Sequence, residues 1–199
     1  MNKEIRIPIQ KRSIEKRKKI IDTASKIFNN KGYLDTTTAE IAKEAGLATG
    51  SVYAYFKNKK DIFIEVLQLY SRTVYNNTIA NLNKIKDKND LTLLVDTMVN
   101  SVLENHKFSP RFHQEITMLA CTDDDIREYH HQQQKIQIDK YLEKLGEYTL
   151  SFSNKKEKLF LVYSLIEGMC HEIMYSRDSN FHKDTLIKEC KEIVKKILQ

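Results

Sequence analysis

Residues 36–60, TTTAEIAKEAGLATGSVYAYFKNKK, decide the fold of this 199-residue chain. At positions 37–40, TTAE, the Thr37 hydroxyl is placed to accept from the Glu40 amide, and the Glu40 carboxylate to reach back to the Thr37 amide. This spacing is typical of a capping box at a helix start. Gly46 stands where the chain must leave that helix in a left-handed conformation, which a β-carbon disfavours. The pattern predicts two short helices joined by a tight glycine turn.

The second helix is predicted from Thr49 to about Tyr55, with Val52 and Phe56 four residues apart on its inward face. Its outward face is left with small and hydroxylated side chains. Such a face suits close approach to a DNA duplex, because glycine holds no side chain against the groove and hydroxyls can donate to phosphates or base edges. A hairpin with a glycine turn is also common in other all-α proteins, in which these tyrosines simply pack. The predicted DNA contacts are Thr37, Thr38, Ala48, Thr49, Gly50, Ser51, Tyr53, Ala54, Tyr55, Lys57 and Lys59, with base reading expected from Thr49, Gly50 and Ala54.

A set of spaced residues across positions 14–66 resembles the TetR family of repressors. The matching positions are Gly32-Tyr33, Thr36-Thr37, Ile41-Ala42, Ala45-Gly46-Leu47, Gly50-Ser51-Val52-Tyr53, Tyr55-Phe56 and Lys59. One position departs from the pattern, because family members usually carry Ser or Thr where this chain has Ala48. Thr49 is a candidate to take over that helix cap one residue later. Without it, the loss is about 1 kcal/mol of local helix stability.

Basic residues are concentrated in the first sixty positions. Residues 1–60 hold 14 Lys and Arg against 6 Asp and Glu, whereas residues 61–199 hold 19 against 21. A basic surface releases counterions from DNA and supplies the sequence-independent part of affinity, although lysines also occur as ordinary solvated residues. Residues 1–12 are expected to form a mobile basic arm that contains Pro8 and can touch the minor groove.

The rest of the chain is predicted to be helical. Five glycines and two prolines leave little room for a sheet, and a hydrophobic content of 41% is enough for a second, core-bearing domain. Ser13 is predicted to cap the first helix, Asn58 with Asp61 to mark the start of a long one, and Pro110 to take the first position of another.

Two helices near the end, at roughly 154–175 and 183–198, carry apolar residues over a wide arc. A helix of this kind needs two partners, and the second is either a second copy of the chain or a deeper part of a monomer. The resemblance implies the former, as a homodimer through these helices. The predicted interface residues are Leu159, Tyr163, Ile166, Ile173, Ile193 and Ile197.

The resemblance also implies a ligand cavity in the middle helices. Ligand binding there would shift the long connecting helix, change the spacing of the two DNA-reading helices and release DNA. Each candidate for the lining can equally be an ordinary core residue. The candidates are Met98, Val102, Phe112, His113, Ile116, Met118, Tyr129, Gln133, Met169 and His171.

An enzyme is the competing class, with Cys121 as nucleophile and His113, eight residues away, as base. The chain holds no Gly-rich phosphate loop, no nucleophile elbow and no HExxH motif, since Tyr175 stands where the second histidine would be. We therefore do not expect an enzyme, and no cofactor is expected.

Metal binding is not expected from the sequence. The consecutive acidic residues 123–125 fan around a helix axis and fit compensation of the helix dipole. Three cysteines, odd in number and far apart, indicate reduced thiols and not a disulfide framework or zinc site. A redox role for Cys121 is left open.

We predict an all-α fold of about nine helices, with a basic arm at 1–12, a three-helix helix-turn-helix domain at 13–60 and a helical effector-binding and dimerisation domain at 61–199. The predicted function is that of a one-component transcription regulator. It is expected to be a homodimeric repressor that leaves a palindromic double-stranded operator when a small hydrophobic effector binds. A non-specific architectural DNA-binding protein is the alternative. The absence of a signal-type run and of eighteen consecutive apolar residues predicts a cytoplasmic protein without a membrane segment.

Overall fold

The computed structural model describes residues 11–108, 110–150, 153–176 and 180–199. These residues form nine α-helices and no strand, so the predicted all-α class is confirmed. None of these helices combines the length and the apolarity that crossing a bilayer requires. The helices are α1 (Lys11–Lys31), α2 (Thr38–Glu44), α3 (Thr49–Val52), α4 (Lys59–Leu82), α5 (Leu91–Phe108), α6 (Pro110–Thr122), α7 (Asp124–Leu145), α8 (Lys155–Tyr175) and α9 (Lys183–Ile197).

The chain divides into two compact units. Unit 1 contains the described residues of Met1–Ser71 and Ser109–His130, and unit 2 contains Arg72–Phe108 and His131–Gln199. Unit 1 is therefore larger than the helix-turn-helix domain predicted at 13–60, since it also takes in the first part of α4, all of α6 and the start of α7. The functional boundary after residue 60 stays a prediction.

An aromatic cluster forms the centre of unit 1. Phe28 of α1 stacks parallel to Phe112 of α6, with ring centroids 6.3 Å apart, and Phe63 of α4 lies 5.3 Å from Phe112. All three rings are at most 1% exposed. Burying each of them contributes on the order of 1.5–3 kcal/mol. Because α2 and α3 pack onto this core through Ile41 and Val52, the short helices are held by tertiary contacts.

Some helix ends agree with the sequence and one does not. Asn58 Oδ1 accepts from the Asp61 amide at 2.9 Å, which confirms the predicted start of α4, and Pro110 is the first residue of α6. Ser13 was expected to cap α1, but α1 already includes Lys11 and Ser13 lies inside it. That expectation is wrong. The rest of the predicted basic arm, residues 1–10, lies outside the described residues.

Unit 2 holds two further apolar clusters. One joins α5, α8 and α9, with Val99, Ile166 and Val194 at its centre, and the other joins the end of α4 to α7 and α8 through Leu82, Ile138 and Leu159. The helices of unit 2 therefore bury their apolar stripes against one another, as amphipathic helices require.

Candidate nucleic-acid interface

One of the two hydrogen bonds of the predicted capping box is present at the start of α2. The Thr37 hydroxyl accepts from the Glu40 amide at 3.2 Å. The Glu40 carboxylate, however, is paired with the ammonium group of Lys31. This hydrogen bond from Lys31 is the main reason why the pKa of Glu40 lies below its ordinary value, although partial burial acts against it. The reciprocal half of the box is therefore replaced by an ion pair that joins α2 to the end of α1.

The turn between α2 and α3 has the predicted conformation. Gly46 has φ +62°, in the left-handed region that favours glycine. Ala48 is the N-cap residue of α3 and makes no side-chain cap, and α3 begins at Thr49. The expectation that Thr49 takes over the missing cap is thus wrong. α3 begins without a side-chain partner for its first amides.

The exposed side of α3 is made of small and hydroxylated residues. Thr49 and Gly50 are exposed and Tyr53 is 46% exposed, whereas Val52 and Phe56 are buried in the core of unit 1. A β-carbon placed on Gly50 would meet nothing within 4 Å. The face that the sequence assigned to DNA is therefore open to solvent, and no residue in the described part of the chain requires glycine at this position.

The regular helix α3 is shorter than predicted and ends at Val52. The Tyr53 and Phe56 amides still donate to the carbonyls of Thr49 and Val52, at 3.4 and 3.1 Å. The backbone thus keeps a helical turn up to Phe56 in a looser form, since a single turn has few bonds to hold it.

Tyr55 belongs to the packing of unit 1. Its ring packs against the aromatic core, and its hydroxyl is 3.0 Å from the Ser13 hydroxyl of α1. A DNA contact by Tyr55 would compete with this packing and stays a prediction. Two other predicted contacts, Ser51 and Ala54, are half-buried, and their roles stay predictions.

Lys59 holds the loop that precedes α2. Its ammonium group donates to the carbonyl oxygens of Tyr33 and Thr36, both at 2.7 Å, and lies 4.2 Å from the centroid of the Tyr33 ring. Partial burial is the main reason why its pKa lies below the ordinary lysine value. These bonds fix the chain next to the cap residue Thr37. The predicted phosphate contact of Lys59 would compete with them and stays a prediction, whereas the exposed Lys57 presents its side chain to solvent.

Basic side chains of α1 lie next to this surface. Lys18 and Lys19 are exposed, and the Lys19 ammonium is 3.7 Å from the point where Gly46 would carry a β-carbon. Arg17 is partly neutralised by Glu65 at 2.6 Å and lies over the Phe56 ring. Part of the net positive charge of the first sixty residues therefore lies on α1, next to the helix-turn-helix.

The residues predicted to line an effector pocket fall in two different units. Phe112 and Ile116 are core residues of unit 1, at 1% and 3% exposure, and Met118 is 43% exposed on the surface of α6. Their assignment to a pocket lining stays a prediction. His113 and Tyr129 also belong to unit 1, and His113 Nδ1 is 3.2 Å from the Tyr70 hydroxyl. The candidates that belong to unit 2 are Met98, Val102, Gln133, Met169 and His171.

The residues predicted at the dimer interface differ in their exposure to solvent. Leu159 and Ile166 are buried within unit 2, at 3% and 2% exposure, and their assignment to an interface stays a prediction. Ile193 is 43% exposed, and Tyr163, Ile173 and Ile197 are half-buried. The sequence reading missed two exposed apolar residues of α8, Phe160 at 45% and Leu161 at 55%. Their adjacency to the buried Leu159 and Val162 was the available signal, because it makes α8 apolar on more than one face.

Two of the three cysteines lie in surroundings that do not favour a nucleophilic thiol. Cys170 and Cys190 are buried, which raises the pKa of Cys190 to about 11 and that of Cys170 further. Cys121 is exposed. A nucleophilic cysteine is activated by a lowered pKa, and the two buried thiols are shifted the other way.

Comparison with known proteins agrees with the geometry of unit 1. Residues 20–66 match the family model described as bacterial regulatory proteins, tetR family. The chain is 41% identical over 76 residues to the HTH-type transcriptional regulator YuxN of Bacillus subtilis (strain 168), which covers 38% of this chain and 25% of that protein. The curated relatives that match first are thus matched over about a quarter of their length, 25% and 26%.

Solved structures are similar over nearly the whole chain. A transcriptional regulator from Streptomyces coelicolor A3(2) aligns with a TM-score of 0.71 at 17% identity, covering 93% of this chain and 99% of that one. A transcriptional regulator from Saccharomonospora viridis, solved in complex with choline, aligns with a TM-score of 0.66 at 18% identity, covering 91% and 96%. At these identities the likeness concerns the fold. The match to the tetR family of bacterial regulatory proteins is thus shown for residues 20–66, and the rest of the chain shares the fold of such regulators.

Proposed function

We propose that this protein is a sequence-specific DNA-binding transcription regulator that acts as a homodimeric repressor and leaves its operator when a small effector binds unit 2. The observation that carries the DNA-binding part is the exposed face of α3. Thr49, Gly50 and Tyr53 are presented outward while Val52 and Phe56 are buried. A short helix anchored in this way can enter a major groove with its first residues.

Electrostatics support the same orientation. Lys57 is exposed just after α3, and Lys18 and Lys19 are exposed on α1. Lysines around a reading helix contact phosphates and fix its register, while the residues on the helix read base edges. We therefore propose Thr37, Thr49, Tyr53 and Lys57 as phosphate and register contacts, and Thr49 and Gly50 as the residues closest to the bases.

The test is affinity for the DNA directly upstream of the coding sequence, compared with an unrelated duplex of equal length, at two or more salt concentrations. Specific binding should exceed non-specific binding by at least about a thousandfold. The association constant should fall with salt on a logarithmic slope of about −0.9 per phosphate contact. Equal binding to both duplexes would favour the architectural alternative. Absence of binding to any duplex would remove the regulator assignment.

The roles of individual residues can be separated with two variants. Lys57→Ala should weaken binding to all sequences and reduce the salt slope by about one, as expected for one lost phosphate contact. Lys26→Ala, an exposed lysine in the middle of α1, is the matched control for charge. If Lys57→Ala and Lys26→Ala reduced the salt dependence of the association constant equally, the proposed orientation of α3 would be wrong.

Dimerisation is proposed through α8 and α9. Phe160, Leu161 and Ile193 are large apolar side chains that are 43–55% exposed in the single chain, and exposed apolar patches mark interaction sites. A two-fold dimer would place two copies of α3 about 34–36 Å apart, one turn of duplex. Ile193→Glu should shift the mass in solution from dimer to monomer and abolish specific DNA binding, while Glu192→Lys, also exposed, should leave the mass unchanged.

The effector is proposed to bind unit 2. Support comes from the fold, since the Saccharomonospora viridis regulator of similar fold was solved with choline bound. Repression is tested with a reporter gene placed behind the upstream DNA. Its expression should rise when this protein is absent, and a fall would indicate an activator.

A further inference from the structure

Two histidines and one glutamate come together inside unit 2, on α5 and α8. His106 Nε2 is 3.2 Å from Glu167 Oε2, and His171 Nε2 is 3.7 Å from the same oxygen. The donor atoms of the three residues all lie within 4.8 Å of one another. Neither the DNA-reading surface nor the apolar faces of α8 and α9 use this cluster.

The helices set this arrangement. Glu167 and His171 are four residues apart on α8, so their side chains lie on the same side of that helix. His106 comes from the last turn of α5, and α5 packs against α8 through the apolar cluster around Val99 and Ile166. The cluster is therefore built on two rigid helices and not on a loop.

The orientation of His106 is fixed by a second contact. Its Nδ1 is 2.9 Å from the carbonyl oxygen of Val102, and the ring is 2% exposed. Only a protonated Nδ1 can donate to a carbonyl, so this bond directs Nε2, with its lone pair in the neutral ring, toward Glu167. A histidine that binds a metal typically gives its other ring N–H to a carbonyl or carboxylate in this way.

We propose that His106, Glu167 and His171 bind a divalent transition-metal ion, with Zn²⁺ as the best-fitting ion. Ligand atoms that each lie 2.0–2.1 Å from one tetrahedral zinc are about 3.3 Å apart. The measured 3.2 and 3.7 Å enclose this value. Two imidazoles and one carboxylate form a ligand set that suits zinc and related metals better than calcium or magnesium, which prefer oxygen ligands.

Access to the cluster is asymmetric. The side chain of His106 is 2% exposed, whereas those of Glu167 and His171 are 21% and 34% exposed. An ion can therefore enter from the His171 side and meet the buried imidazole last.

A metal must compete with the ion pair that the same groups form without it. Burial alone would lower the pKa of His106, but the hydrogen bond and charge of Glu167 outweigh it and raise the pKa. The pair is a sufficient reason for His106 to face Glu167. The ion pair of His106 and Glu167 does not explain why His171 lies near the same carboxylate oxygen. The presence of His171 as a third donor is the observation that favours a metal site.

The proposed site can be tested independently of the proposed DNA binding. Metal binding is measured directly on the tag-free full chain after treatment with a chelator. Titration with Co²⁺ should give one saturable equivalent per chain with visible d–d absorption, and Zn²⁺ should displace it. A competing chromophoric chelator then gives the Zn²⁺ affinity. Absence of saturable binding would overturn the proposal.

Two variants and a control assign the ligands. Glu167→Gln keeps the shape of the side chain and removes its charge, and His171→Gln changes a partly exposed ligand, so both are expected to fold. Each should weaken Zn²⁺ binding at least tenfold, as loss of supporting groups alone does. His182→Gln, an exposed histidine that makes no side-chain cap at the start of α9, should bind like the wild type. Unchanged affinity in both ligand variants would mean that the ion binds elsewhere and would overturn the assignment. A rise of Tm with Zn²⁺ that is seen in the wild type and lost in both variants is the result that supports it.

Discussion

Gly50 allows the DNA-contact role of α3 to be separated from its structural role. Gly50 lies inside α3, and a β-carbon placed on it meets nothing within 4 Å. Gly50→Ala should therefore cause no clash within the chain. Alanine is favoured over glycine in a helix by about 0.5–1 kcal/mol. For a chain of this size, each kcal/mol raises Tm by roughly 2–4 °C, so a rise of about 1–4 °C is expected.

The same methyl group should harm DNA binding. If α3 enters the groove with its first residues, the backbone at Gly50 comes close to base edges, and an added methyl forces it away from them. Loss of one good base contact costs about 1–3 kcal/mol. Specific affinity should thus fall by about fivefold to 150-fold, since each 1.4 kcal/mol corresponds to a factor of ten.

The assay pairs a thermal melt with a DNA titration on the same preparation. Asn100→Ala is the control, since Asn100 is an exposed residue in the interior of α5 in unit 2, and alanine there also gains helix propensity. It should melt slightly higher and bind DNA like the wild type. Gly50→Ala that keeps full specific affinity would refute the close approach of α3, and Gly50→Ala that melts several degrees lower would refute the open space around it.

Three further predictions concern the cysteines, Asp123 and Gly32. Cys121 should react with a thiol reagent in the native protein while the two other cysteines react only after unfolding, because both are buried and burial raises the pKa of each. Burial raises the pKa of Asp123, but hydrogen bonds from the Ile126 amide and the Lys60 ammonium outweigh this and hold it below its ordinary value of 3.8. Stability from this pairing is present above that value and lost as the pH falls through the lower folded pKa. Asp123→Asn should therefore flatten the acid limb of stability measured by urea unfolding between pH 7 and pH 3. Gly32→Ala should destabilise the protein by about 1–3 kcal/mol in the same assay, because Gly32 has φ +91° and a β-carbon there would overlap the Glu115 carboxylate.

The helix-turn-helix could be predicted from sequence because its signals are local. The Thr37 cap, the left-handed Gly46 and the Asn58 start of α4 each depend on residues within four positions. Such local signals do not depend on how the rest of the chain packs. The reciprocal half of the capping box failed for a non-local reason, since Glu40 found Lys31 on the preceding helix.

The pocket and dimer assignments stay predictions, because periodicity identifies a buried face but not the core or the partner that buries it. Phe112 and Ile116 have the spacing of a lining face on α6, yet that face packs on Phe28 and Phe63 in unit 1. On α8, the buried Leu159 and the exposed Phe160 are neighbours with similar hydrophobicity. Only the packing of α8 against the other helices distinguishes them.

The cluster of His106, Glu167 and His171 was missed for the same physical reason. His106 is separated from Glu167 by about sixty residues, and no spacing within one helix announces a ligand set that is divided between α5 and α8. An HExxH motif would place the glutamate directly after His171, at Glu172. The carboxylate that approaches His171 is instead that of Glu167, one turn earlier on α8.

The contacts around α2 and α3 limit how much of the DNA sequence one chain can read. Tyr55 and Lys59, two of the polar residues expected at the DNA, are engaged in holding α1 and the loop before α2. The outward residues at the start of α3 are then Thr49 and Gly50, with Tyr53 in the following turn. With each mismatched base pair worth about 1–3 kcal/mol, so few contacts give one chain too little discrimination for an operator. A two-fold arrangement would double the number of base pairs read, and the small exposed face of α3 is therefore our reason for proposing a palindromic site.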